Sequence, residues 1–229
     1  MRVISIFICV FLCGSLSEAC AEDITPSFSQ KLDIQVRYDN RSNRPSREQY
    51  RLRYYPSLAL TSTWSVNSFI VTGDDFSSSH NTFGSDTTDY LYARRLYLRH
   101  ETNAGKTELG IIPTYKGRVS STGLSKDGWI TGIRHVRKLQ NNTALEIVVG
   151  QLANAEASEA FNVGEEDEYF EIEYSAKMGG RHSYEASFER MLNGTFARAE
   201  YRFRINEEDT AFVELVQRTD ESAAKIVVG

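Results

Sequence analysis

Along most of the chain, apolar and polar residues alternate with a period of two. The clearest case is Thr195–Asn206, T-F-A-R-A-E-Y-R-F-R-I-N. Ala197, Ala199, Tyr201, Phe203 and Ile205 fall on one side of it; Arg198, Glu200, Arg202, Arg204 and Asn206 fall on the other. Successive side chains of a strand point to opposite faces, so the pattern predicts a strand with one apolar wall and one charged wall. In a water-soluble sandwich the apolar wall would pack on a core and the charged wall would face solvent.

The same period predicts strands at Leu32–Tyr38, Tyr50–Leu60, Trp64–Ile70, Tyr90–Glu101, Thr107–Ile111, Trp129–Leu139, Leu145–Val149, Phe170–Ser175, Tyr184–Glu189, Val213–Val216 and Ala223–Gly229. Pro56 removes a ladder donor and predicts an irregularity in the second of these. Trp129–Leu139 is the least regular, because His135 shares a face with Trp129, Thr131 and Ile133. The total is about twelve strands, with ten as the lower count.

The connections sort by length. Numbered from the first strand, the odd ones (40–49, 73–89, 114–127, 153–167) are long until the last two shorten, and the even ones (61–63, 102–106, 140–142, 177–181, 206–209) are tight. Long loops on one side, short turns on the other and an even strand count describe an outer-membrane barrel, in which the apolar wall meets lipid. A sandwich has no reason to sort its loops this way. The expected fold is all-β: a transmembrane antiparallel up-and-down β-barrel. Tyr38, Tyr50, Tyr92 and Trp129 at the long-loop ends, with Trp64, Tyr174, Tyr184 and Phe203 at the short-turn ends, are expected to form two interfacial girdles.

The first residues read as a processing signal. Arg2 is a small basic n-region, Val3–Cys13 is apolar, and Ala19-Cys20-Ala21 offers a small-x-small cleavage site, so residues 1–21 form a signal peptide and 22–229 the barrel. A lipoprotein with Cys20 lipidated is the rival reading. All three cysteines (Cys9, Cys13, Cys20) lie in the removed segment, so the exported chain needs no disulfide framework. Removing residues 1–21 takes away Arg2 and Glu18, which leaves the net charge at −5. No stretch approaches eighteen consecutive apolar residues, which excludes a helical span but not strands of about 9–11 residues.

With the alternation set, the charged wall comprises Asp33, Arg37, Arg51, Arg53, Arg95, Arg99, Glu108, Arg134, Glu146, Glu171, Glu173, Glu185, Glu189, Arg198, Glu200, Arg202, Arg204 and Glu214. The segments at 170–175 and 184–189 are acidic, whereas those at 50–60, 90–101 and 195–206 are basic. Glu185 and Glu189 are expected opposite arginines of the following strand. Buried charges persist only if the interior is wet or the charges pair. One reading is therefore a channel whose arginines attract anionic or saccharide solutes. Its pore-lining residues would be Arg51, Arg53, Arg95, Arg99, Arg134, Glu171, Glu173, Glu185, Glu189, Arg198, Arg202 and Arg204. The alternative is a non-conducting structural or adhesion barrel plugged by its own ion pairs.

An enzyme finds little support. His80, His100, His135 and His182 show no metal-ligand spacing, and neither H-E-x-x-H nor G-x-S-x-G occurs. His80, beside Asp74, Asp75 and several serines, is the one candidate for an omptin-like or phospholipase-like surface site. No metal or other cofactor is implied. Net acidity without a basic patch gives nucleic-acid binding no support.

The tracts Arg51-Leu-Arg-Tyr-Tyr55, Trp64-Ser-Val-Asn-Ser-Phe-Ile-Val-Thr-Gly-Asp-Asp75 and Ala93-Arg-Arg-Leu-Tyr-Leu-Arg99 resemble Gram-negative outer-membrane porins. By size the chain is similar to the monomeric, oligosaccharide-selective porins of about twelve strands. The resemblance implies diffusion of small polar solutes across the outer membrane through an arginine-lined pore. Its implied partners are outer-membrane lipid, lipopolysaccharide and the barrel-assembly machinery. One departure stands out. Such barrels usually end on an aromatic residue, whereas this chain stops at Ile226-Val-Val-Gly229, which puts pairing of the last strand with the first in question.

Overall fold

The computed structural model describes residues 25–40, 45–73, 76, 79–84, 91–114, 127–152, 156–162, 168–191 and 194–229. The expected signal segment, Tyr90 and Asn193 lie outside them. The alternating segments form β1 (Ser27–Asp39), β2 (Arg47–Ala59), β3 (Trp64–Thr72), β4 (Asn81–Thr82), β5 (Leu91–Thr102), β6 (Gly105–Pro113) and β7 (Trp129–Lys138). They continue as β8 (Thr143–Gln151), β9 (Tyr169–Met178), β10 (His182–Met191), β11 (Gly194–Arg204), β12 (Thr210–Arg218) and β13 (Ala223–Val228). Together these make one antiparallel up-and-down sheet in which each long strand pairs with the next in sequence; the two-residue β4 pairs with β2 where β3 has ended.

Turn chemistry explains the tight connections. Asn141 and Asn142 both have positive φ, as do Gly179 and Gly180. Two successive left-handed residues give the hairpin geometry that matches strand twist. At the β11–β12 turn the Asn206 side-chain oxygen accepts from the backbone N–H groups of Glu208 (2.9 Å) and Asp209 (2.6 Å).

Two irregularities re-aim side chains. The β2–β3 ladder lapses at Tyr55 and Pro56, where the proline has no N–H to offer. Between β3 and β5, Phe69 pairs with Arg95 and Ile70 with Ala93, which leaves Arg94 as an extra, bulged residue.

The faces differ in burial, and in the unusual sense. Leu109 is 56% exposed while its neighbour Glu108 is 0% exposed. Ile133, Ile147, Ile172, Phe188, Tyr201 and Leu215 likewise face outward, whereas Arg134, Glu171, Glu185, Glu189, Arg198 and Glu214 are buried. A flat sheet would expose both faces equally, so the sheet curls around its charged side. It is not closed. β1 and β13 are its edges and do not pair with each other, so the expected barrel is an open, curled sheet here. A β1–β13 ladder would have to join thirteen residues to six, and both edges are exposed on both faces.

Part of the concave side is apolar. Ile112, Ile130, Val148 and Tyr169 form a buried cluster with Tyr97, Leu152 and Met191 against it. Running across the same face, Tyr97, Gly110, Gly132, Gly150 and Tyr169 pair in one row. The glycines allow close approach: a Cβ on Gly132 would lie 2.1 Å from the Val149 carbonyl oxygen. Trp129 corrects the expected girdle. It shares the outward parity of Ile133 but is buried with Ile111, beneath Ala157, Ala160 and Phe76. The connecting segments fold over it and shield it.

Candidate functional site

All twelve sequence-predicted lining residues belong to the concave face, where register gathers most of them into three groups and leaves Arg51, Arg202 and Arg204 apart. The first centres on Glu108 of β6, which is fully buried among three cations. Arg99 donates from Nε at 2.9 Å, Arg134 donates from a terminal nitrogen at 2.9 Å, and Lys106 lies at 3.3 Å. Arg134 also reaches Glu146 at 2.9 Å and the Pro113 carbonyl at 2.7 Å. A buried carboxylate surrounded in this way is neutralised and hydrogen-bonded, which its desolvation requires.

The second group centres on Arg198 of β11. Its guanidinium meets Glu173 at 3.1 Å, Glu214 at 3.5 Å and Glu189 at 3.8 Å, and also contacts Glu185. The expectation of acids directly opposite arginines is overturned here. Arg198 stands across from Ser187, to which it donates at 3.2 Å, and Glu185 stands across from Glu200. Glu171 opposes Glu189, Glu146 opposes Glu173, and Glu200 opposes Glu214. Directly opposed like charges are destabilising. Arg198, set diagonally to Glu185 and Glu189, offsets that repulsion.

The third group lies toward the long connections. Arg53 of β2 meets Asp127 at 2.9 Å, and Ser79 donates to the same carboxylate at 2.7 Å. Thr72 in turn donates to the Ser79 carbonyl at 2.7 Å. Burial alone would raise the Asp127 pKa. The Ser79 hydroxyl and the Arg53 and Arg94 charges outweigh it and hold the carboxyl below its ordinary value. Arg95 donates to the Gly128 carbonyl at 2.8 Å and sits 4.6 Å over the Phe69 ring. Asp127 and Ser79 carry no alternation signal, and the bulge takes Arg94 out of the period of its strand, so sequence reasoning missed all three.

Beside this group, Arg37 holds the Gln49 amide oxygen at 2.6 and 2.8 Å. Among the described residues the Arg51 side chain makes no hydrogen bond or ion pair, and its Nε is buried without a partner. His80 lies 3.2 Å from Gln35. Burial first, then the charges of Arg37, Arg51 and Arg53, hold its imidazole below its ordinary pKa. His80 thus sits near the charges of Arg37, Arg51 and Arg53; Asp74 and Asp75, the acids considered beside it, lie outside the described residues. Arg202 binds Glu200 (3.2 Å), and Arg204 lies exposed at the end of β11.

The three groups differ in accessibility. On the concave face Glu108, Glu171, Glu173, Glu185, Glu189, Glu200 and Glu214 are all buried. The cations Lys31, Arg37, Arg51, Arg99, Lys106, Lys177, Arg202 and Arg204 are half-buried or exposed. A solute at this face would meet these cations together with the half-exposed acids Asp33 and Glu146, and so more positive than negative charge. Among the described residues no group of three or more His, Cys, Asp or Glu is disposed to hold a metal ion. No helix there is long and apolar enough to cross a membrane, which does not bear on crossing by strands. No protein-family model and no curated protein matches the chain.

Proposed function

We propose that the chain forms an outer-membrane β-barrel porin that admits small hydrophilic solutes, anions above all, with residues 1–21 directing export. The observation that carries this reading is the inverted distribution of polarity. Apolar side chains are exposed around the convex face, and on the concave face most acids are buried, Asp33 and Glu146 apart, while several basic groups remain accessible. The convex side suits lipid, and the concave side suits water and anions. Insertion requires both sheet edges to be satisfied, because each unpaired backbone group in hydrocarbon costs several kcal/mol. Closure of β1 on β13, directly or through further strands, is therefore part of the proposal.

Single-channel recording in planar bilayers tests it. Folded protein should give discrete opening steps, with a reversal potential in a salt gradient that reports anion preference. Arg51→Gln should weaken that preference. A folded, inserted sample that never opens would sink the porin reading.

One observation favours the non-conducting alternative. Ile112, Ile130, Val148 and Tyr169 fill part of the concave face, and Arg198 is enclosed by its four glutamates. If this packing spans the barrel, the protein is a structural or adhesion element, and the same recording separates the two.

A further inference from the structure

At the short-turn end of the concave face lies a cavity of about 420 Å³, formed by the ends of β9 and β11, the start of β10 and β12, and the turn between β9 and β10. Its lining includes Lys177, Arg181, Arg202 and Arg204, the hydroxyl residues Ser183 and Thr210, and no carboxylate. Register builds this cluster. Lys177, Ser183 and Arg202 pair in one row across three strands, and Arg204 pairs with Thr210 in the next. The Arg204 N–H donates to the Arg181 carbonyl at 2.8 Å, which carries the ladder to the turn. Arg202 is committed to Glu200. The side chains of Lys177, Arg181 and Arg204 make no hydrogen bond or ion pair among the described residues. Three uncommitted cations around one hollow repel one another, and an anion placed there relieves the repulsion.

We infer that this cavity is a binding site for a dianionic oxyanion, of the phosphate-monoester class, carried on a small polar molecule. Two guanidinium forks and an ammonium match a tetrahedral dianion better than a single carboxylate. The volume exceeds that of a bare phosphate and falls within the roughly 300–1,000 Å³ of small-molecule sites. The hydroxyls of Ser183 and Thr210 suit the remainder of a hydroxylated solute. The inference deepens the porin reading and rests on it: the site would meet solutes at the short-turn mouth.

The test is calorimetric titration of the full folded chain in detergent micelles with glucose 6-phosphate, inorganic phosphate, and glucose or gluconate as controls. Glucose 6-phosphate should bind with an affinity that falls with salt, glucose should not bind, and gluconate should bind more weakly. Arg204, at the exposed end of β11, and Arg181, in the exposed turn before β10, can be changed to Gln, and Arg204→Gln and Arg181→Gln should each weaken binding by about tenfold or more. Equal binding of inorganic phosphate would narrow the ligand to the oxyanion itself and still support the site. No binding, unchanged binding in both variants, or equal binding of gluconate would overturn it. Channel steps without phosphate-ester binding would sink the site and leave the pore; binding without steps would do the reverse.

Discussion

Arg53 and Asp127 are 74 residues apart in sequence, and their side chains meet at 2.9 Å. The pair ties β2 to the segment entering β7 and brings Ser79 into the same knot. Both partners are largely buried, and removing Asp127 leaves Arg53 with the more distant Asp33, at 4.0 Å, as its counter-charge. Asp127→Ala should therefore lower unfolding stability by about 3–5 kcal/mol, read from denaturant titration in micelles. The pH dependence has a definite sign. A carboxyl held below its ordinary value contributes stability that is present above the unfolded pKa, near 3.8, and is lost as pH falls through the lower folded value. Wild type should keep this contribution at neutral and mildly acidic pH, while the variant lacks it throughout.

Arg198 is surrounded by Glu173, Glu185, Glu189 and Glu214. Arg198→Ala should be strongly destabilising, by about 3–5 kcal/mol, and visible as a lower temperature for the heat-modifiable gel shift. Arg198→Lys should fall between, because one ammonium cannot reproduce the guanidinium fork. A lysine variant as stable as wild type would show that charge alone holds the cluster.

Ile133 and Leu109 stand opposite each other on the convex face and are exposed. If that face meets lipid, Ile133→Arg should cost about 2–4 kcal/mol at mid-depth in a bilayer. The measurement is folding free energy in vesicles. A change within about 0.5 kcal/mol, the usual range for a surface position in water, would contradict lipid exposure.

Gly132 lies where a Cβ would meet the Val149 carbonyl oxygen at 2.1 Å and the Gly150 Cα at 2.6 Å. Both are backbone atoms, so the strands must separate to admit a methyl group. Gly132→Ala should cost about 1–3 kcal/mol and reduce folding yield. Gly179→Ala meets open space but forces a left-handed alanine, and a loss of about 1 kcal/mol is expected there.

Asp220, in the turn after β12, has its carboxyl held down to about 2, first by the Arg218 hydrogen bond and then by the Thr195 N–H. Its NMR titration midpoint should move up toward 3.8 in Arg218→Gln. An unmoved midpoint would assign the shift to the backbone donor.

Much of the architecture was legible in the residues alone. Period-two alternation at Thr195–Asn206 and its counterparts placed the strands to within a few residues, and the breaks in it at 140–142 and 177–181 placed the turns. It also sorted Arg198, Arg202 and Glu200 from Ala199 and Tyr201, because strand geometry sends neighbours to opposite faces whatever they pack against. Register was not legible. A shift of two residues preserves every face yet changes every cross-strand partner, so Glu185 faces Glu200 and Arg198 faces Ser187. Contacts made by connecting segments were equally hidden, because Asp127, Ser79 and Phe76 have no period to reveal them.

The sequence by itself determined the twelve long strands, their order and the polarity of their two faces, since these follow from backbone period and local turn chemistry; the two-residue β4, inside the expected 73–89 loop, carries no such period. Only the tertiary structure decided which charges are buried and paired, that Trp129 is shielded, and that β1 and β13 stand as open edges. Those outcomes depend on register and curvature, which arise when strands distant in the chain settle against one another.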